Sequence, residues 1–222
     1  MPVNPMSNKY DLVIFDVDGT ILDTTEGVLS AVKYTIHEFG FQPLDDALMA
    51  TFIGPPIQDS FAKMYDLSGP ILQDIATVFR NRYSSVDLLK AKPYEGIYDV
   101  FEEIVARGMS SAIATYKRED YALTLLRHYN FDHYTNIMYG GDHENKLKKK
   151  DIIEKCIEDS GVKDLSKVVM IGDTEHDALG AEKAGIDFIG VTFGFGFQKV
   201  TDLALTKSVG CAERAIDILK YL

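Results

Sequence analysis

Five short apolar runs recur along the chain, and segments with helical periodicity lie between them. The runs cover residues 12–15, 110–114, 137–139, 167–171 and 188–191. Apolar runs of this length, bounded by glycine or polar residues, are typical of buried parallel strands. Between them, apolar residues recur at helical spacing, as at Ile97, Val100, Phe101 and Ile104. This alternation predicts an α/β fold, in which a doubly wound, mostly parallel sheet (a Rossmann-like core) carries helices on both faces.

The segment 24–90 interrupts this alternation, because no strand pattern is evident in it. Its first helix could be capped by Thr24 or Thr25 and should stop at Gly40, and further helices are predicted over 44–52, 57–65 and 70–89. The simplest organisation is therefore a small all-helical cap domain formed by 24–90. It is inserted into an α/β catalytic core formed by 1–23 and 91–222.

Composition narrows the possible partners and the cellular location. The formal net charge of −11 argues against nucleic acid or an anionic membrane surface as the main partner. It does not exclude a small anionic substrate, because local cations can dominate a site.

Cys156 and Cys211 lie far apart, so no disulfide framework is expected. No apolar run reaches the roughly 18 residues of a membrane span, and the start MPVNPMSNKY lacks the apolar core of a signal peptide. We expect a cytoplasmic monomer or homodimer.

Carboxylates follow two of the predicted strands directly. Asp16 and Asp18 end the first apolar run, and Asp173 and Asp177 follow the fourth. Ligands of doubly wound sheets bind at the carboxyl ends of the strands, so the four carboxylates would share one crevice if these strands are neighbours. Each pair alone could be a surface turn or a helix cap. Together they indicate a site for a hard cation, and Mg²⁺ is the ion that such oxygen ligands favour.

The motifs around these acids resemble those of the haloacid dehalogenase superfamily. Within it, the chain is most similar to the phosphoglycolate phosphatase-like branch, which has a helical cap after the first strand. The resemblance rests on Phe15-Asp16-Val17-Asp18-Gly19-Thr20, on Gly172-Asp173-Thr174-Glu175-His176-Asp177 and on the segment FIGPPIQDSF at 52–61. It extends from Tyr10 to the last helix.

The resemblance implies roles for the four acids. Asp16 would be the nucleophile that becomes an aspartyl phosphate, and Asp18 the general acid and then the general base. Mg²⁺ would be held by the carboxylate of Asp16, the backbone carbonyl of Asp18 and Asp173. Asp177 would be a supporting residue that steers a catalytic lysine.

Two positions depart from the motifs of the family. Thr115, at the predicted end of the second strand, would supply the hydroxyl that binds the phosphate, although it could instead be a helix cap. Tyr116 follows it where the family has a small residue, and Lys117 and Arg118 could add positive potential.

The catalytic lysine is less clearly marked, because no Lys-Pro occurs in the expected region. In NKLKKKDII, 145–153, the pattern of some relatives selects Lys149, which precedes Asp151 by two residues. Lys146 and Lys148 remain alternatives.

These observations predict a Mg²⁺-dependent phosphatase that hydrolyses a small phosphate monoester (phosphoglycolate-like, a nucleotide or a sugar phosphate) through an aspartyl-phosphate intermediate. Ile53 and Gly54 of the cap are expected to face the substrate, together with Thr115, Tyr116 and Lys149. A sugar phosphomutase of the same branch and a non-catalytic protein that binds a phosphorylated metabolite are the alternatives. A metal-free dehalogenase is disfavoured by the presence of Asp18 and Asp173.

Overall fold

The computed structural model describes residues 8–143 and 146–222. The chain consists of two compact units. One contains the described residues up to Leu22 together with Pro93–Leu222, and the other is Asp23–Lys92. That the smaller unit acts as a cap stays a prediction.

Eight strands and eight α-helices make up the described part of the chain. The strands are β1 (Leu12–Phe15), β2 (Leu22–Asp23), β3 (Lys92–Pro93), β4 (Ser110–Arg118), β5 (Met138–Gly141), β6 (Val168–Gly172), β7 (Asp187–Val191) and β8 (Ser208–Ala212). The helices are α1 (Thr25–Glu38), α2 (Asp46–Ala50), α3 (Ile57–Tyr65), α4 (Ile71–Arg82), α5 (Ile97–Ala106), α6 (Glu119–His128), α7 (Lys149–Ser160) and α8 (Glu175–Ala184).

The larger unit is built on a six-stranded sheet with the order β5-β4-β1-β6-β7-β8. Every neighbouring pair in it is parallel. All four residues of β1 are buried, as expected for a central strand that is covered on both faces. On one face Phe15 stacks on Phe101 of α5, with ring centroids 4.6 Å apart. On the other face α7 and α8 pack apolar residues such as Ile153 and Ala181 against the sheet. The predicted doubly wound α/β fold is confirmed.

The sheet differs from the predicted one at two places. The second predicted strand was expected to stop at Ala114, but β4 continues through Thr115 to Arg118, with a register irregularity on the way. The polar residues there obscure the strand in the sequence. The edge strand β8 was not predicted at all. Its sequence SVGCA is partly exposed and carries neither an apolar run nor a clean alternation.

The smaller unit is helical, as expected, but several predicted helix ends were wrong. Thr24 precedes α1 without a side-chain capping bond; the carboxylate of Asp23 instead accepts the N–H of Thr25 at 3.0 Å. The helix predicted over 70–89 ends as an α-helix at Arg82 and continues as a π-helical turn over Tyr83–Asp87. The segment predicted as 44–52 is helical only over α2. The carboxylate of Asp45 caps its start by accepting the N–H of Leu48 at 2.9 Å.

The smaller unit contains an ion cluster around one buried aspartate. The Asp87 side chain is fully buried, and its oxygens lie 2.8 Å from Arg82 Nε and 2.7 Å from Lys90 Nζ. The hydroxyl of Ser30 donates a third hydrogen bond at 2.9 Å. Burial alone would raise the pKa of Asp87, but these three donors lower it below its usual value. The cluster thus satisfies a charge that would otherwise be costly to bury.

None of the helices in the described part of the chain combines the length and apolar character that a membrane crossing needs.

Replacing Asp87 by Asn removes this charge and should lower the free energy of unfolding by about 2–3 kcal/mol at pH 7. The lowered pKa means that the contribution of Asp87 is complete above the unfolded-state pKa of about 3.9 and is lost as the pH falls through the folded-state value. The difference between wild type and Asp87→Asn in urea unfolding should therefore shrink below about pH 4. Glu103→Gln, which breaks the exposed pair with Arg107, is the control and should cost less than about 0.5 kcal/mol. Equal losses in the two variants would contradict the assignment.

Candidate active site

The register of the central strands brings two acidic motifs to one edge of the sheet. Phe15 of β1 lies opposite Ile171 of β6 in parallel register, so Asp16 and Asp173 leave their strands close together. The N–H of Asp16 donates to the carbonyl of Ile171 at 3.0 Å, which extends the pairing up to the acid. The sequence left open whether the first and fourth predicted strands are neighbours, and in the sheet they are adjacent.

Three buried carboxylates converge at this edge. Oxygens of Asp16, Asp173 and Asp177 all lie within 4.8 Å of one another. Burial raises the pKa of Asp173 to about 6, and the nearby charge of Asp177 adds to the effect. Burial also raises the pKa of Asp16, as do the three neighbouring acids, while Lys149 opposes the shift. Both pKa values are raised first by burial and then by the neighbouring negative charges. A bound cation would offset both effects, and the hard oxygen ligands fit Mg²⁺.

Backbone donors hold the Asp173 side chain in place. Its Oδ2 accepts the N–H groups of Phe195 at 2.7 Å and Gly196 at 3.1 Å, and its Oδ1 accepts the hydroxyl of Thr20 at 3.3 Å. These donors come from the loop after β7 and from the turn after β1. The carboxylate is thereby oriented by two separate parts of the chain.

The glycines of the loop after β7 are needed for this approach. A Cβ on Gly194 would lie 2.2 Å from the carbonyl oxygen of Gly19, and one on Gly196 would lie 2.3 Å from the carbonyl oxygen of Asp173. Both contacts are to backbone, which has little room to move. The GFGF sequence at 194–197 therefore allows the loop to wrap around Asp173.

Lys149 occupies the centre of the acidic cluster. Its Nζ lies 2.6 Å from Asp16 Oδ1 and 2.6 Å from Asp177 Oδ1, and its side chain is 3% exposed. Burial alone would lower the pKa of Lys149, but the two carboxylates raise it above its usual value, so it stays charged. Lys146 and Lys148, the alternatives left open by the sequence, are exposed.

Asp177 is held so that one oxygen faces Lys149. Its Oδ2 accepts the N–H of Thr174 at 3.0 Å and the hydroxyl of Thr174 at 2.6 Å, which caps the start of α8. Both Asp177 oxygens thus have protein partners. Its oxygens lie close to those of the other two acids, and its expected supporting role toward Lys149 stays a prediction.

Thr115 and Tyr116 lie next to the cluster on β4. Thr115 is buried, and its hydroxyl accepts the N–H of Lys117 at 3.1 Å. Because α6 begins only at Glu119, the alternative of Thr115 as a helix cap is wrong. The Tyr116 hydroxyl accepts the N–H of Lys149 at 2.9 Å. Sequence reasoning missed this contact, since nothing local links residues that are 33 positions apart.

Lys117 makes an ion pair that the sequence did not predict specifically. Its Nζ lies 2.9 Å and 3.1 Å from the two carboxylate oxygens of Asp18, and its side chain is only 8% exposed. The Asp18 carboxylate is not among the three carboxylates whose oxygens lie within 4.8 Å of one another. The expected contact of the Asp18 backbone carbonyl with the metal stays a prediction. Arg118 instead binds Asp120 through two hydrogen bonds of 2.6 Å.

Ile53 and Gly54 belong to the smaller unit, in the turn that follows α2. Gly54 has φ +102°, a conformation that favours glycine. Their expected contact with the substrate stays a prediction.

Comparison with known proteins decides the family. The model of the haloacid dehalogenase-like hydrolases matches residues 13–191. The chain belongs to this family. A 5'-nucleotidase of Pseudomonas aeruginosa is 31% identical to this hydrolase over 191 residues, which are 86% of each chain. A phosphoglycolate phosphatase of Agrobacterium fabrum is 29% identical over 191 residues, which are 83% of this chain and 81% of that protein.

The structure of a haloacid dehalogenase-like hydrolase from Streptococcus pneumoniae superimposes on the chain with a TM-score of 0.87 and 28% identity, covering 96% of this chain and 98% of the other. The family and these relatives make the chain a phosphoric monoester hydrolase.

The Tyr116→Phe variant tests whether the Tyr116 hydroxyl positions Lys149 for catalysis or contributes only to the stability of the fold. Loss of the hydroxyl removes one acceptor, so we expect about 1 kcal/mol lower stability and an approximately fivefold lower kcat for ester hydrolysis. Tyr98→Phe removes a similar hydrogen bond, from the Tyr98 hydroxyl to the carbonyl of Tyr129 at 2.8 Å. It should show the stability loss without the loss of kcat. Identical kinetics for the two variants would mean that Tyr116 has no part in positioning Lys149.

Proposed function

We propose that this hydrolase is a Mg²⁺-dependent phosphatase of small phosphate monoesters that forms an aspartyl phosphate on Asp16. The observation that carries the proposal is the position of Asp16, buried at the end of β1 with Lys149 Nζ 2.6 Å from Oδ1 and Asp173 beside it. The phosphatase-named relatives support the same class of substrate. The substrate itself is a phosphoglycolate-like ester, a nucleotide or a sugar phosphate.

In the first step, a carboxylate oxygen of Asp16 attacks phosphorus as the bond to the leaving alcohol oxygen breaks. The Lys149 ammonium, held by two carboxylates, faces the developing charge on the phosphoryl oxygens. Thr115 is buried on β4, the neighbour of β1 in the sheet, and its hydroxyl would donate to one of these oxygens. Asp177 keeps Lys149 in place.

Asp18 would handle the proton in both steps. The protonated form of Asp18 gives its proton to the leaving oxygen, which departs as the neutral hydroxyl. This step leaves Asp18 as the carboxylate that pairs with Lys117 in the structure. As a base it then takes a proton from the water that attacks phosphorus. The bond between phosphorus and Asp16 breaks in this second step, and inorganic phosphate leaves while both aspartates return to their starting states.

Asp16, Asp173 and the backbone carbonyl of Asp18 would hold the magnesium ion. When bound, Mg²⁺ supplies positive charge that screens the nucleophile from the phosphate and neutralises the transferring group. The fixed orientation of Asp173, with two backbone amides on Oδ2, suits a ligand that must not move during the reaction.

Ile53 and Gly54 are proposed to contact the leaving group from the smaller unit. We also propose that the protein is cytoplasmic and is a monomer or a homodimer.

Phosphate release from a panel of monoesters tests the proposed reaction. With Mg²⁺, wild type should turn over at least one ester, EDTA should abolish the activity, and Asp16→Asn should lower kcat by more than about a thousandfold. Asp11→Asn, an exposed acid just before the same strand, is the matched control and should leave turnover unchanged. If the Asp16→Asn variant were as active as wild type, Asp16 would be ruled out as the nucleophile.

Metal binding can be measured without turnover. A Mg²⁺ concentration one hundred times Kd should stabilise wild type by about 2.7 kcal/mol, seen as a higher Tm. In Asp173→Asn the stabilisation should disappear, because a neutral amide replaces a charged ligand. Asp11→Asn should respond as wild type does. A Tm increase in Asp173→Asn as large as that of wild type would place the metal elsewhere.

A further inference from the structure

We propose that Gln198 is a positioning residue for the metal site. Its side-chain amide holds the loop whose backbone N–H groups orient Asp173, so losing the amide weakens Mg²⁺ binding. This inference rests on the proposed function, because it takes Asp173 as a magnesium ligand. Gln198 is exposed and belongs to none of the motifs that carry the family resemblance.

The Gln198 side chain turns back onto its own loop. Its Nε2 donates to the carbonyl oxygen of Gly194 at 3.1 Å and to that of Phe195 at 3.2 Å. This nitrogen carries two N–H donors, so each carbonyl can receive one of them. Carbonyl oxygens only accept hydrogen bonds, which selects the nitrogen of the amide over its oxygen at this place. The side chain therefore closes the segment 194–198 on itself.

The two peptide groups that Gln198 binds are the same two that bind Asp173. The N–H groups of Phe195 and Gly196 donate to Asp173 Oδ2 at 2.7 Å and 3.1 Å. The carbonyls of these peptide groups belong to Gly194 and Phe195, the acceptors of the Gln198 amide. Because the C=O and the N–H of a planar trans peptide point in opposite directions, each peptide is held by Gln198 on one side and by Asp173 on the other. A rotation of either peptide would break both of its hydrogen bonds.

Gln198 is itself anchored at its backbone. Oδ2 of Asp202 accepts the N–H of Gln198 at 2.9 Å and the N–H of Lys199 at 3.2 Å. The amide thus extends from a fixed main chain, whereas the loop that it binds contains two glycines, whose backbone rotation is the least restricted. Without the amide, the orientation of the two peptides would depend on Asp173 itself, the group that they have to orient for the metal.

The affinity for Mg²⁺, measured without turnover, tests the inference. Gln198→Met keeps the length of the side chain but has no N–H to donate. Its Kd for Mg²⁺, obtained from the rise of Tm with Mg²⁺ concentration, should be about tenfold higher than that of wild type, as for other residues that orient metal ligands. Gln198→Glu should show a similar loss, although its added negative charge would by itself attract the cation. Ester hydrolysis in both variants should need correspondingly more Mg²⁺, while kcat at saturating Mg²⁺ stays within about threefold of wild type.

A matched control separates loop stability from metal affinity. Gln73→Met makes the same change at an exposed glutamine of α4 and should leave the Kd unchanged. The Tm of each variant without Mg²⁺ verifies that it folds. If both Gln198 variants bind Mg²⁺ with the Kd of wild type, Gln198 only stabilises the loop, and the inference is overturned while the proposed function stands. If wild type neither binds Mg²⁺ nor hydrolyses any ester with it, the proposed function fails and the inference fails with it.

Discussion

Like charges buried together at the edge of a parallel sheet govern the rest of this structure. Asp16, Asp173 and Asp177 place their oxygens within 4.8 Å of one another, in surroundings where ionised groups repel and cannot be solvated by water. One buried lysine between Asp16 and Asp177 relieves part of this repulsion. In the proposed function, a divalent cation would offset the remainder and would allow an anionic phosphoryl group to bind beside it.

Different hydrogen bonds hold each of the three acids in place. Strand pairing carries Asp16 to its position through the bond to the Ile171 carbonyl. Asp173 is held by amides from a glycine-rich loop, and Asp177 by Thr174 at the start of α8. Since each carboxylate is anchored independently, their mutual repulsion cannot be relieved by simple movement apart. Such fixed charge is what electrostatic catalysis requires.

How much of this could be predicted from sequence depended on whether the signal was local. The apolar run before Asp16 and the one before Asp173 marked strand ends. The two acids meet because β1 and β6 are neighbours in the sheet, which the sequence left open. Lys149 could be selected only by a family pattern, and burial between two acids distinguishes it from the exposed Lys148. Tyr116 and Lys117 could not be assigned, because their partners Lys149 and Asp18 lie far away in the chain. The edge strand β8 was not predicted, because its partly exposed sequence contains no apolar run.

The central claim is that Asp16 carries the phosphoryl group, and trapping that intermediate tests it most directly. An Asp18→Asn variant, in which the attacking water lacks its base, would be mixed with Mg²⁺ and an ester that has a good leaving group. Acid quenching, borohydride reduction and peptide mass spectrometry then locate any acyl phosphate. The account predicts reduction of Asp16 alone, dependent on substrate and Mg²⁺. Modification of another residue, or the absence of any modified residue while leaving group is released in a single turnover, would contradict it.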